Sequence, residues 1–295
     1  MTFSLNLFAD LQQILYYPFM QHAYEAGTIV AIVAGIVGYF VVLRRSSFVA
    51  HSLSHIGFAG AAGAALFGIS PVYGLLLFTT VGGSSMAVLS PKATSRDISI
   101  GTVLAFMLGL GVLFISLYTG YATAAYSILF GEILGISGSD VLLTLVAGLI
   151  ILAAVALVFR PLLFASLDED VAEAKGLPTF ILGIVFMLLV AVATSIAVQV
   201  VGVLLIFSLM VTPAAIAQQL ASRPQRVVII SVAVALMATW LGLFIAFYEP
   251  YPVSFFITTI VFISYIIARL GNRITKSRTV SPTDLQGLDS KRTGG

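Results

Sequence analysis

At 295 residues, with 60% hydrophobic and only 9% charged, the chain has too little polar surface to be wetted all round; soluble domains carry about 25% charged residues. Its mean hydropathy of +1.11 points to an integral membrane protein. A net charge of +2 argues against nucleic acid as a partner, and the absence of cysteine excludes a disulfide framework and thiolate metal sites.

Apolar stretches long enough to cross a hydrocarbon core, about 20 residues each, fall near 23–43, 52–68, 72–89, 98–118, 140–159, 179–198, 200–220, 227–247 and 252–270. The expected fold is therefore an all-α polytopic bundle of about nine transmembrane helices occupying residues 1–271. The stretch 272–295 reads as a polar tail without fixed structure. The N-terminus lacks the basic n-region and small-residue cleavage site of a signal peptide. The glycine-interrupted stretch 121–137, "YATAAYSILFGEILGIS", is expected to be a short helix lying near one surface.

Charge sets the expected orientation. With nine spans and an outside N-terminus, all 14 Lys and Arg residues fall on the cytoplasmic side, as the positive-inside rule requires. Asp10, Glu25, Glu132, Asp140 and Glu249 fall on the other side, where an acidic face suits a cation. Glu25, Glu132 and Glu249 are candidates for an outer mouth, or else ordinary interfacial carboxylates.

The stretch "HSLSHIGFAGAAGAALFG" (51–68) carries His51 and His55 on one helical face. His55 lies ten residues beyond Arg45, about 15 Å at 1.5 Å per residue, near the middle of a core about 30 Å thick. Ionisable groups at that depth usually mark an ion pathway, and neutral imidazole is a transition-metal ligand. The alternative is that each ring bonds a neighbouring helix through serine or backbone. A zincin is excluded, because Ser52, Leu53 and Ser54 stand where H-E-x-x-H needs its glutamate.

The stretch "PLLFASLDEDVAEAKGLP" (161–178) is the main polar insertion before the tail. Asp168 reads as an N-cap, Glu169 and Asp170 favour a first turn, and Gly176 stops the helix before Pro178. A short acidic helix over about 167–176 is expected. In "VVGVLLIFSLMVTPAAIAQQL" (200–220), Pro213 frees the carbonyl of Leu209 at mid-membrane and is expected to kink the span. Thr212 and Pro213 are gate candidates. No G-x-x-x-x-G-K-S/T motif occurs, so ATP chemistry would have to come from another chain.

Several separated segments, in order, resemble the membrane permeases of bacterial ABC importers for zinc, manganese and iron(II). "LRRSSFVAHSLSHIGFAGAAGA" resembles the family's D-A-L/I-S-H segment; "SRDISIG" (95–101), "YSILFGEILGIS" (126–137), "FASLDEDVAEAKGLP" (164–178) and "VVGVLLIFSLMVTPAAIA" (200–217) resemble further family motifs. The resemblance implies a type II importer permease in the bacterial cytoplasmic membrane, without an enzymatic activity of its own. It implies two permease chains around one path, expected to be a homodimer, with a cytoplasmic ATPase dimer and an extracytoplasmic metal-binding protein. No cofactor is held permanently; the divalent metal is cargo. Asp168, Glu169, Glu173 and Gly176 would belong to a coupling helix seated in the ATPase.

His55 matches the family's histidine, whereas His51 stands where the family usually has Asp. Imidazole suits zinc and carboxylate suits manganese, so zinc is expected first, with manganese or iron(II) as the alternative. A secondary transporter driven by an ion gradient is the competing class. It would need inverted repeats and a carboxylate inside a span, and the sequence shows neither.

Overall fold

A computed structural model describes residues 13–89, 96–117, 131, 133–249 and 251–279. Among these there is no strand. Among the described residues nine helices of 18 residues or more are present: α1 Pro18–Leu43, α2 Ser47–Leu66, α3 Pro71–Leu89, α4 Arg96–Leu117, α5 Gly138–Leu167, α7 Thr179–Val201, α8 Val203–Leu220, α9 Pro224–Tyr248 and α10 Val253–Thr279. A six-residue helix, α6, covers Glu169–Ala174.

Local chemistry explains many of the helix starts. Proline stands in the first turn of α1 and α9, where its missing N–H costs nothing. Ser137 caps α5 through a reciprocal box with Asp140. Seven of the nine long helices are long and apolar enough to cross a membrane. The other two are α2, diluted by its histidines, serines and glycines, and the shorter α8.

Four expectations need correction. The span read as 140–159 is α5, which runs without interruption through Arg160 and Pro161 to Leu167. At 1.5 Å per residue its 30 residues reach about 45 Å, so its last turns project beyond a hydrocarbon core. Only residues 168–178 remain for the polar insertion, and α6 spans 169–174 rather than 167–176. The interruption near 200–220 sits at Gly202 (φ 85°), one residue between α7 and α8, and α8 continues as a single helix through Pro213. At the C-terminal end α10 passes Asn272 and continues to Thr279. Glu132 and most of the 121–137 segment lie outside the described residues.

Side-chain bonds identify which helix ends lie together. At one end Arg44 reaches Ser166, and Asn272 reaches the carbonyl of Gln219. At the other, Gln199 donates to Asp140, and a ring nitrogen of His22 meets the carbonyl of Ile136. Successive long helices therefore alternate in direction. The α1 helix is the centre of the bundle, packing on α5, α7, α8 and α9. Its close fit depends on absent side chains: a Cβ at Gly38 would strike the carbonyl oxygen of Met210 on α8. Small residues allow such backbone approach where no hydrophobic force separates helix from lipid. The α2 helix packs mainly on α3 and α4, and only slightly on α1.

Candidate functional site

The histidine pair is built by α2. The i, i+4 spacing brings the rings of His51 and His55 edge-to-face, with centroids 4.6 Å apart and planes at 81°. Phe207 of α8 meets His51 from the other side at 5.4 Å and 77°. Both rings are half-buried, and Phe207 is 37% exposed. The serines between them are fully buried. Ser54 donates back to the carbonyl of Ala50 at 2.9 Å.

The histidines are not held by hydrogen bonds to neighbouring helices: among the described residues neither ring makes one. Their nitrogens are thus available to a ligand. Two imidazoles are an incomplete donor set for a transition metal, which takes four or more ligands. Among the described residues no group of three or more His, Cys, Asp or Glu is placed to hold an ion. Among the described residues the pair offers two nitrogens to a cation, so any further ligands would come from outside that set. That suits transit, because a closed tetrahedral site would trap the ion.

The other predicted residues lie apart from this pair. Thr212 lines a cavity of about 330 Å³ with Ser208, Val211, Ala215, Phe262 and Tyr265, between α8 and α10. Pro213 is buried. Glu25 and Glu249 are exposed at the end opposite Arg44.

The acidic helix is formed as its capping residues require. Asp168 accepts from the N–H of Val171 at 3.0 Å, and Gly176 adopts a φ of 79° beyond the helix end. Glu169 and Glu173 are exposed, whereas Ala172 is fully buried against Ala165 and Leu182. Lys175 lies 5.1 Å from the ring of Phe164. This small hydrophobic seat fixes α6 to the ends of α5 and α7 and leaves its carboxylates outward.

Sequence reasoning missed three groups. Phe207 is brought to His51 by tertiary packing and leaves no local trace. Asp140, read as one acid among several, ties α5 to Gln199 of α7 at 3.1 Å. His22 sits 3.2 Å from the carbonyl of Ile136; as the third histidine of an apolar chain, it was open to notice.

The family model described as "ABC 3 transport family" matches residues 16–272. The "Manganese transport system membrane protein MntC" of Listeria monocytogenes is 29% identical over 92% of this chain and 98% of its own length. The "High-affinity zinc uptake system membrane protein ZnuB" of Buchnera aphidicola is 29% identical over 84% of this chain and 94% of its own. In the solved structure titled "PsaBC from Streptococcus pneumoniae in complex with Fab", a chain 28% identical superposes with a TM-score of 0.79, covering 89% of this chain and 95% of that one. The chain belongs to the ABC 3 transport family, as a multi-pass membrane permease subunit with no catalytic function of its own.

Proposed function

We propose that this permease passes manganese(II) through the bacterial cytoplasmic membrane as the conducting part of an ATP-driven importer, with zinc as the second metal. The observation that carries the metal pathway is the pair His51 and His55: two half-buried imidazoles in contact, unengaged by hydrogen bonds, on a helix packed within a membrane bundle. Manganese comes first because the relative matched over 98% of its own length is named for it. Zinc keeps a specific support in His51, since imidazole in place of carboxylate moves a site toward zinc. This order reverses the one expected from the sequence.

The end bearing Arg44, Arg45, Arg160 and Lys175 is the cytoplasmic one by the positive-inside rule. There α6 is the coupling helix, with Asp168 and Gly176 shaping it and Glu169 and Glu173 presented to a groove of an ATPase dimer. The opposite, acidic end receives a metal-binding protein, with Glu25 and Glu249 at the mouth. A second copy of the chain supplies its own histidine pair. Thr212 and Pro213 belong to the part of α8 that shifts as the path opens alternately to either side.

The test is uptake of radioactive manganese and radioactive zinc in cells that also express the partner subunits, at matched permease levels. His55→Ala is expected to abolish uptake of both metals, and His51→Asp to raise the manganese-to-zinc ratio. Wild-type uptake of both metals by both variants would make the histidines packing residues and defeat the proposed station.

A further inference from the structure

The corner between α1 and α2 is built with unusual firmness. The N–H of Ser46 bonds the carbonyl of Val41 at 2.8 Å, and that of Arg45 bonds Val42 at 3.1 Å. This is the double pattern that closes a helix around a left-handed residue. That residue is usually glycine, yet here it is Arg45 at φ 52°, the one non-glycine with positive φ among the described residues. Ser46 is 3% exposed, and its hydroxyl donates to the carbonyl of Arg44 at 3.2 Å. The corner holds a strained backbone, and the helix that leaves it carries His51 within its first two turns.

Arg44 fastens this corner to the seat of α6. Its guanidinium donates to the hydroxyl of Ser166 at 3.4 Å and lies 5.1 Å from the centre of the Phe186 ring. Ser166 follows Ala165 on α5, and Phe186 lies one turn beyond Leu182 on α7. Ala165 and Leu182 are the two residues against which Ala172 of α6 is buried. The α2 helix has little direct contact with α1 and packs mainly on α3 and α4, with smaller contacts to α7 and α8; the corner is the covalent joint through which the chain passes from α1 into the histidine-bearing group. One arginine therefore touches both helices that seat α6 while standing at the root of the helix that carries the histidines.

We propose that Arg44 is a positioning residue for transport: it fixes the joint through which a displacement of α6 reaches α2, and so sets His51 and His55 in step with ATP hydrolysis. Arginine suits the position because its planar guanidinium can stack on Phe186 and donate to Ser166 at once. The inference rests on the reading of α6 as the coupling helix and of the histidine pair as the metal station.

The test uses the full complex, with ATPase and binding protein, in proteoliposomes, and reads manganese(II) accumulated per ATP hydrolysed. Arg44→Ala is expected to keep the ATPase bound and active while that ratio falls at least about five-fold, within the range over which single residues alter coupling between sites. Arg44→Lys, which keeps a cation and a donor, is expected to restore part of the ratio. Ser166→Ala and Phe186→Leu are expected to lower it to a smaller degree, and they decide the matter should Arg44→Ala fail to assemble. An unchanged ratio in Arg44→Ala, or in both partner variants if that protein fails to assemble, would overturn the proposal. The underlying reading fails by different signs: Asp168→Lys leaving ATPase binding intact, or histidine variants leaving uptake intact.

Discussion

The hydroxyls of Thr79 on α3 and Ser195 on α7 share a hydrogen bond of 2.5 Å, with both side chains almost wholly buried. With one proton each, one hydroxyl donates to the other, and the second donates to a carbonyl of its own helix, Leu75 for Thr79 or Ala191 for Ser195. The pair joins the histidine-bearing group to the central bundle inside the apolar interior. Thr79→Val and Ser195→Ala are each expected to lower stability by about 0.5–1.5 kcal/mol, the range for such bonds between membrane helices. The double variant should lose less than the sum of the two. Unfolding in mixed micelles measures all three, and strict additivity would mean the bond contributes nothing.

Gly38 and Gly183 differ in the room each leaves for a side chain. A Cβ at Gly38 would collide with the Met210 carbonyl, whereas one at Gly183 would meet nothing within 4 Å. Gly38→Ala should push α1 from α8 and cost about 1–3 kcal/mol, as overpacking does. Gly183→Ala should be neutral or slightly stabilising, because alanine favours a helix by up to about 1 kcal/mol. Thermal denaturation in detergent compares them directly, and equal midpoints would argue against the close α1–α8 crossing.

Phe207 is expected to hold the His51 ring rather than the fold, being more than a third exposed. Phe207→Ala should raise the KM for metal about two- to ten-fold, equivalent to the loss of an aromatic contact of about 0.5–1.5 kcal/mol. Permease abundance should stay the same. A KM equal to that of wild type would show that the edge contact does not orient the imidazole.

The ends of α6 can be tested apart from the metal. Asp168→Ala removes the cap on Val171 and should destabilise the short helix by about 1 kcal/mol. Gly176→Ala meets no neighbour but forces a side chain into positive φ, at about 1–2 kcal/mol. Faster hydrogen exchange over residues 169–174 is the expected result for both variants. Unaltered exchange would show that the hydrophobic seat of Ala172 holds α6 without its caps.

The sequence was most readable where the signal was local and periodic. Nine apolar runs became nine long helices among the described residues, and Asp168 and Gly176 formed the cap and stop that their chemistry predicts. The facing of His51 and His55 followed from the helical repeat alone. Pro213 misplaced the expected interruption. Pro161 and Pro213 each remove one hydrogen bond, yet both sit within continuous helices; neighbouring helices can compensate the freed groups in a bundle. The actual interruption was at Gly202, which in "VVGVLL" carries no sign that its φ is positive. Arg44 was read as a positive-inside charge. Its ties to Ser166 and Phe186 span more than 120 residues and have no local signature.

Gly202 also bears on how the protein is made. With a single residue between α7 and α8, the two helices have no loop between them: nothing there can be exposed, labelled or cut without unwinding a helix. From this joint, which bears no charge to hold it at the surface, the two helices part, α7 packing on α3 and α8 on α1, α9 and α10. Residues 179–220 are thus made as one run with no loop to fall on either side of the membrane before α8 is complete.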